Sequence, residues 1–209
     1  MNDAIKAFPQ ITVSDGLRRM PTIRSFIAID TPAEIKEKIE EVEEKLRATN
    51  ADVRWETKEK FHITLKFLGN VEEEKLNSLA QRLGGRLITH SPFTITYEAV
   101  GCFPNLRHPR VIWVGTHDED GSLKALAQTV EEIAAAHGFE REKRPFHPHI
   151  TIGRVKGSKN LMELSSALES VTFDPQPSTV REILLMKSDL RPTGSVYTVF
   201  RRFPLKEGT

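Results

Sequence analysis

Two identical tripeptides, His62-Ile63-Thr64 and His149-Ile150-Thr151, stand far apart in a chain of 209 residues. An aliphatic residue follows each, Leu65 in one case and Ile152 in the other. In an extended segment, side chains alternate between two faces. Each histidine therefore shares a face with the threonine two positions on, and the isoleucine and the following aliphatic share the opposite one. One surface offers an imidazole and a hydroxyl, and the other is apolar and fit for burial. Two imidazoles at one cleft can serve a phosphodiester reaction without a metal. One ring takes a proton from the attacking oxygen, and the other gives a proton to the departing oxygen. Histidine suits both tasks because a pKa near about 6.5 leaves both forms populated at neutral pH. The Thr64 and Thr151 hydroxyls can donate to the non-bridging oxygens, where negative charge builds up in the transition state.

With seven histidines in the chain, either tripeptide alone could be structural. What carries weight is that both sit in strand-like segments at matching places in two similar halves. Residues 23–29 read as a strand. Thr31 then offers an N-cap, Pro32 a first helical position and Glu34 the partner of a capping box. Ile35, Ile39, Val42 and Leu46 follow at helical spacing, which predicts an amphipathic helix lying on a sheet with its Glu and Lys side chains in solvent. Residues 53–56 and 61–68 read as strands, with Gly69-Asn70 as a turn. Leu76, Leu79 and Leu83 predict a second helix stopped by Gly84-Gly85, and residues 93–100 a further strand.

The second half repeats the order. It has a strand at 110–115, a helix on Leu123, Leu126, Val130 and Ile133 ending at Gly138, and a strand through 149–152. A short helix around 161–168 and a strand around 180–186 follow, and residues 196–203 alternate well enough to add to a sheet edge. Arg24 lies 38 residues before His62, and Arg110 lies 39 before His149. From His62 to Phe93, and from His149 to Val180, the interval is 31 residues in both cases. This self-similarity predicts an α+β fold, duplicated and two-lobed. Antiparallel sheets pair within each lobe and line a central cleft, with helices on the outside.

Thirty basic residues against 29 acidic ones leave a net charge of +1. A general nucleic-acid binder carries a basic surplus, so any such contact here is confined to a cleft or a strand end. Cys102 is the only cysteine, which excludes an intrachain disulfide and a cysteine-based zinc site. Charges interrupt every apolar run before the roughly 18 residues a membrane span requires, and a cytoplasmic protein is expected. We expect residues 1–20 to be a flexible N-terminal extension, residues 21–204 a single two-lobed domain, and residues 205–209 a C-terminal tail.

The chain resembles the two-histidine (2H) phosphoesterase superfamily, defined by two His-x-Ser/Thr-x motifs on a duplicated fold. Its nearest resemblance is to the RNA 2′,3′-cyclic phosphodiesterases, also called 2′-5′ RNA ligases. The resemblance rests on Arg24-Ser25-Phe26-Ile27-Ala28, on Trp55 and Phe61 to Gly69, and on Phe146 to Arg154. Met186-Lys187-Ser188-Asp189-Leu190 and Tyr197 extend it, so that it covers residues 21–204. It implies a cofactor-free and metal-free hydrolase that opens the 2′,3′-cyclic phosphate at an RNA end to a 2′-phosphomonoester. By that resemblance His62 is the proton donor and His149 the proton acceptor, with Thr64, Thr151 and Arg154 binding the phosphate. Pseudo-symmetry leaves the bare sequence unable to assign donor and acceptor.

Other readings stay open at this stage. The same residues could run the reaction in reverse as a 2′-5′ RNA ligation, or the cleft could bind an RNA end without turnover. Phe26 could stack on a base, although a place in the core is the commoner fate of such a residue. His147-x-His149 has the spacing of a metal pair but lacks a third ligand in the sequence. Arg141, Lys143, Arg144, Arg154, Lys156 and Lys159 cluster around the second motif, where they could steer an RNA end. The expected partner is an RNA with a 2′,3′-cyclic phosphate end, tRNA halves being among the candidates, and we expect no membrane contact and a monomer.

Overall fold

In the first strand apolar residues run on without alternation, as they do when a strand is covered on both faces. The computed structural model describes residues 21–192 and 194–206, and the expected extension at 1–20 and the last residues of the tail, 207–209, lie outside the described residues. Strand β1 (Thr22–Asp30) buries Ser25 through Ile29 and sits between two other strands. Helix α1 (Ala33–Arg47), strand β2 (Val53–Trp55) and strand β3 (His62–Glu72) follow, then helix α2 (Glu73–Leu87) and strand β4 (Phe93–Phe103). The second half supplies β5 (Val111–His117), α3 (Ser122–Ala136), β6 (His149–Val155), α4 (Leu161–Ser170), β7 (Gln176–Val180), β8 (Glu182–Arg191) and β9 (Gly194–Pro204).

Two antiparallel sheets result, with strand orders β3-β1-β8-β9 and β2-β6-β5-β4-β7. Superposing the orders matches β3 with β6, β1 with β5, β8 with β4 and β9 with β7, which is the pseudo-two-fold that the repeated spacing predicts. The composition of the lobes differs from the expectation of pairing within each half. β2 and β4, from the first half, build the second sheet, and β8 and β9, from the second half, complete the first. Residues 180–186 are accordingly two strands in different sheets, with Arg181 at the crossing. Hydrophobic periodicity reveals that a segment is a strand but not which partner it takes. One consequence is a single core cluster that joins residues of both sheets, from Ile27 through Leu205. Leu205, placed in the tail by the sequence reading, is thus buried. No described helix is long and apolar enough to cross a membrane.

Local differences have local causes. The capping box at Thr31 does not form: Pro32 occupies the N-cap without a side-chain cap bond, and the buried Thr31 hydroxyl has no hydrogen-bond partner. Helix α2 runs through Gly84 and Gly85 to the buried Leu87. Glycine costs a helix roughly 1 kcal/mol relative to alanine, and burial of Leu83 and Leu87 on either side offsets it. The turn expected at Gly69-Asn70 is instead part of β3, where Gly69 adopts a φ of +74° beside an irregularity in pairing with β1.

Candidate active site

β3 lies at the edge of the first sheet, β6 lies within the second, and the two strands approach within 8 Å, Cα to Cα. Ile63 and Leu65 of one strand and Ile150 and Ile152 of the other are buried in the shared core. With their backs in one core and their strands side by side, the two strands turn their other faces away from that core. Those faces carry His62 and Thr64, and His149 and Thr151, all of them half-buried.

Regular alternation would return Arg154 to the core side of β6, because it stands an odd number of residues from His149. The pairing of β6 with β5 slips by one residue here: Ile112 faces Gly153, Trp113 faces Thr151, and Ile152 is the extra residue. Such a bulge puts two successive residues on one side, so Ile152 and Gly153 are both buried and Arg154 comes out on the histidine face. β3 has the same irregularity at the same place. Ile27 faces Lys66, Ala28 faces Thr64, and Leu65 is extra. Lys66 is therefore buried and Phe67 occupies the position equivalent to Arg154. Glycine at 153 admits β2, since a Cβ there would stand 2.9 Å from Val53 Cγ1 and 3.0 Å from the Trp55 ring. β2 in turn leads into Glu56, whose carboxylate holds Arg154 at 3.6 Å, Arg54 at 3.6 Å and Lys60 at 3.0 Å.

Each imidazole is held by an aromatic collar, and His149 by a backbone carbonyl as well. Phe26, buried, stacks on His62 at 4.9 Å between ring centroids, and Tyr197 of β9 meets it edge-on at 5.3 Å. Phe26 is thus a core residue that positions a histidine, not an open platform for a base. Phe103 of β4 packs edge-on against His149 at 5.1 Å. The His149 ring donates from Nδ1–H to the His147 carbonyl at 2.7 Å. A carbonyl can only accept, so Nδ1 carries the proton and Nε2 is left as the free ring nitrogen. The Lys60 backbone, two residues upstream, acts on the His62 ring in the same direction, favouring its protonated form.

The charges around the two rings differ. Burial first of all pushes His62 down to about 4; Asp30, directly opposite on β1, and Glu56 act to raise it, while Lys36 lowers it. Burial also lowers His149, whose bond to the His147 backbone opposes the shift while the neighbouring His147 side chain and the Arg154 guanidinium add to it. Two carboxylates and a lysine thus act on one imidazole, and an arginine and a second histidine on the other. The sequence reading did not single out Asp30, Glu56 or Phe103, because their roles come from cross-strand neighbours with no motif of their own. A wider cavity of about 790 Å³, lined in part by His90, His117 and Asp120, includes none of the tripeptide residues. Among the described residues, no group of three or more His, Cys, Asp or Glu side chains is placed to hold a metal ion.

Two antiparallel sheets related by a pseudo-two-fold, each carrying one His-x-Thr strand, match the two-histidine class of phosphoesterases. The family model described as LigT like Phosphoesterase matches the chain twice, at residues 29–113 and 114–197. A relative from Archaeoglobus fulgidus named RNA 2′,3′-cyclic phosphodiesterase is 38% identical over 182 residues, which are 87% of this chain and 99% of that protein. One of the same name from Thermotoga maritima is 36% identical over 177 residues, 85% of this chain and 92% of that protein. The crystal structure of E. coli LigT complexed with 3′-AMP superposes with a TM-score of 0.71 at 32% identity, covering 89% of this chain and 99% of that one. The chain belongs to the LigT-like phosphoesterase family.

Proposed function

We propose that this protein is an RNA 2′,3′-cyclic phosphodiesterase that works by metal-independent acid–base catalysis between His62 and His149. The observation that carries the reading is the pair of equivalent His-x-Thr faces on adjoining strands, with the His149 imidazole locked through Nδ1 and its Nε2 free. Water attacks phosphorus and gives its proton to His149, where burial and the Arg154 guanidinium favour the neutral ring. The bond from phosphorus to O3′ breaks, and His62, attended by Asp30 and Glu56, supplies the proton that O3′ needs. A 2′-phosphomonoester remains. Thr64 and Thr151 donate to the non-bridging oxygens, and the Arg154 guanidinium balances their charge. The names of the relatives support RNA as the substrate.

The direct test is an oligonucleotide ending in a 2′,3′-cyclic phosphate, incubated with the protein and an excess of chelator. The expected product, read by phosphorus NMR, is the 2′-phosphate alone. Activity that chelator removes and added metal restores would overturn the metal-independent mechanism.

The pH dependence is a second expected outcome. Because both rings are shifted down in the folded protein, folding disfavours their protonated forms. That contribution to stability is complete above the ordinary histidine value of about 6.5 and is lost as pH falls through about 4. Turnover needs one ring protonated and one neutral, so kcat/KM should be bell-shaped with its maximum on the acid side of about pH 6.5. The kcat profile should lie at higher pH, because a bound phosphate anion holds the proton on its donor. A free-enzyme maximum on the alkaline side would contradict the environment described for these rings.

A further inference from the structure

The two bulges give the cleft chemically different ends, since Arg154 stands at one and Phe67 at the equivalent place on the other strand. Phe67 is 62% exposed. Its ring centroid lies 6.2 Å from that of Phe26, which itself stacks on His62. Beyond it runs a groove of about 520 Å³ between the end of β3 and the segment 139–144 that leads into β6. That segment carries Arg141, Lys143 and Arg144 together with Glu140 and Glu142. Lys143 pairs with Glu140 at 3.5 Å and Glu142 faces Lys66 at 3.9 Å. Arg141 and Arg144 have no ion pair among the described residues. The groove wall is fastened from below: buried Lys66 donates to the Glu140 carbonyl at 2.6 Å and pairs with Glu131 at 2.9 Å, and the Glu142 backbone N–H donates to Glu131 Oε1 at 3.0 Å.

We propose that this groove is a second nucleotide subsite, along which the RNA strand leaves the cleft. The base of a nucleotide on the 5′ side of the cyclic phosphate stacks on Phe67, and the backbone phosphates on either side of it face Arg141 and Arg144. An aromatic face accepts any base, and unpaired guanidiniums accept phosphates. The Phe67 ring lies 6.2 Å from Phe26, which stacks on His62 at 4.9 Å, so it stands beside the His62 collar, no more than about 11 Å from the imidazole, where the nucleotide next to the terminal one can reach it. A chain with a net charge of +1 has little long-range attraction for RNA, and local cations beside a stacking face supply what the total lacks. The inference rests on the proposed activity and names its substrate class, an oligonucleotide end in preference to a lone cyclic mononucleotide.

The test compares kcat/KM for a cyclic mononucleotide and for a trinucleotide with the same 2′,3′-cyclic end. In the wild type the trinucleotide should be the better substrate. Phe67→Ala should lower the trinucleotide-to-mononucleotide ratio roughly 10-fold, chiefly through KM, and Phe67→Trp should keep it. Arg141→Ala with Arg144→Ala should flatten the salt dependence of trinucleotide turnover. A ratio in Phe67→Ala within about twofold of wild type would sink the subsite, and continued mononucleotide turnover would show the proposed function still standing. If the wild type turns over neither substrate, the function falls and the subsite with it.

Discussion

Replacing His62 or His149 with alanine should lower turnover of a 2′,3′-cyclic phosphate end by about 10²–10⁴ each, the range usual for a positioned proton-transfer group. The double variant should fall little further, because the two rings act on one transition state and their losses do not multiply. Folding should survive. The apolar faces of the tripeptides, with Ile63, Leu65, Ile150 and Ile152, hold the strands in the core, while both imidazoles stand on the half-buried side. Removing His62 uncovers one side of Phe26, which keeps its contact with Tyr197 at 4.9 Å between centroids. Initial rates measured beside thermal melts decide the matter. A variant that melts normally and turns over at the wild-type rate would remove that histidine from the mechanism.

Lys66→Ala should cost stability more than a typical substitution does. Its side chain is 2% exposed, and its ammonium meets both oxygens of Glu131 at 2.9 and 3.1 Å and the Glu140 carbonyl at 2.6 Å. Removing one partner of a buried pair costs roughly 3–5 kcal/mol, because the remaining charge is left uncompensated. Glu131 is 20% exposed and partly rehydrates, which puts the expected loss near about 3 kcal/mol. For a chain of this size the melting temperature should fall on the order of 10 °C. Lys66→Met combined with Glu131→Gln should melt above Lys66→Met alone, since no unpaired carboxylate remains and Gln can still accept from the Glu142 backbone. Equal melting temperatures would mean that the pair is not what fastens the segment ahead of β6. The same variants should raise KM for an oligonucleotide end, as that segment forms one wall of the groove beside Phe67.

By itself the sequence determined the parts of this protein that follow from local periodicity. Alternation within His62-Ile63-Thr64-Leu65 and His149-Ile150-Thr151-Ile152 settled which side chains enter the core and which stay half-buried on the other face. The repeated order of strands and helices settled that there are two related sheets. The apolar spacing of Ile35, Ile39, Val42 and Leu46 settled the buried face of α1, and all four are buried. The tertiary structure alone decided which strands pair, because a strand's partner is chosen by residues far away in the chain. Neither half reveals that β4 and β8 exchange places, or that Asp30 lies opposite His62. It also decided where alternation breaks. The bulges at Leu65 and Ile152 arise from pairing with β1 and β5, and no residue type in β3 or β6 announces them. Without those extra residues Arg154 and Phe67 would point into the core and Lys66 into the cleft. Local pattern therefore places the histidines and threonines, and cross-strand register places the residues that surround them.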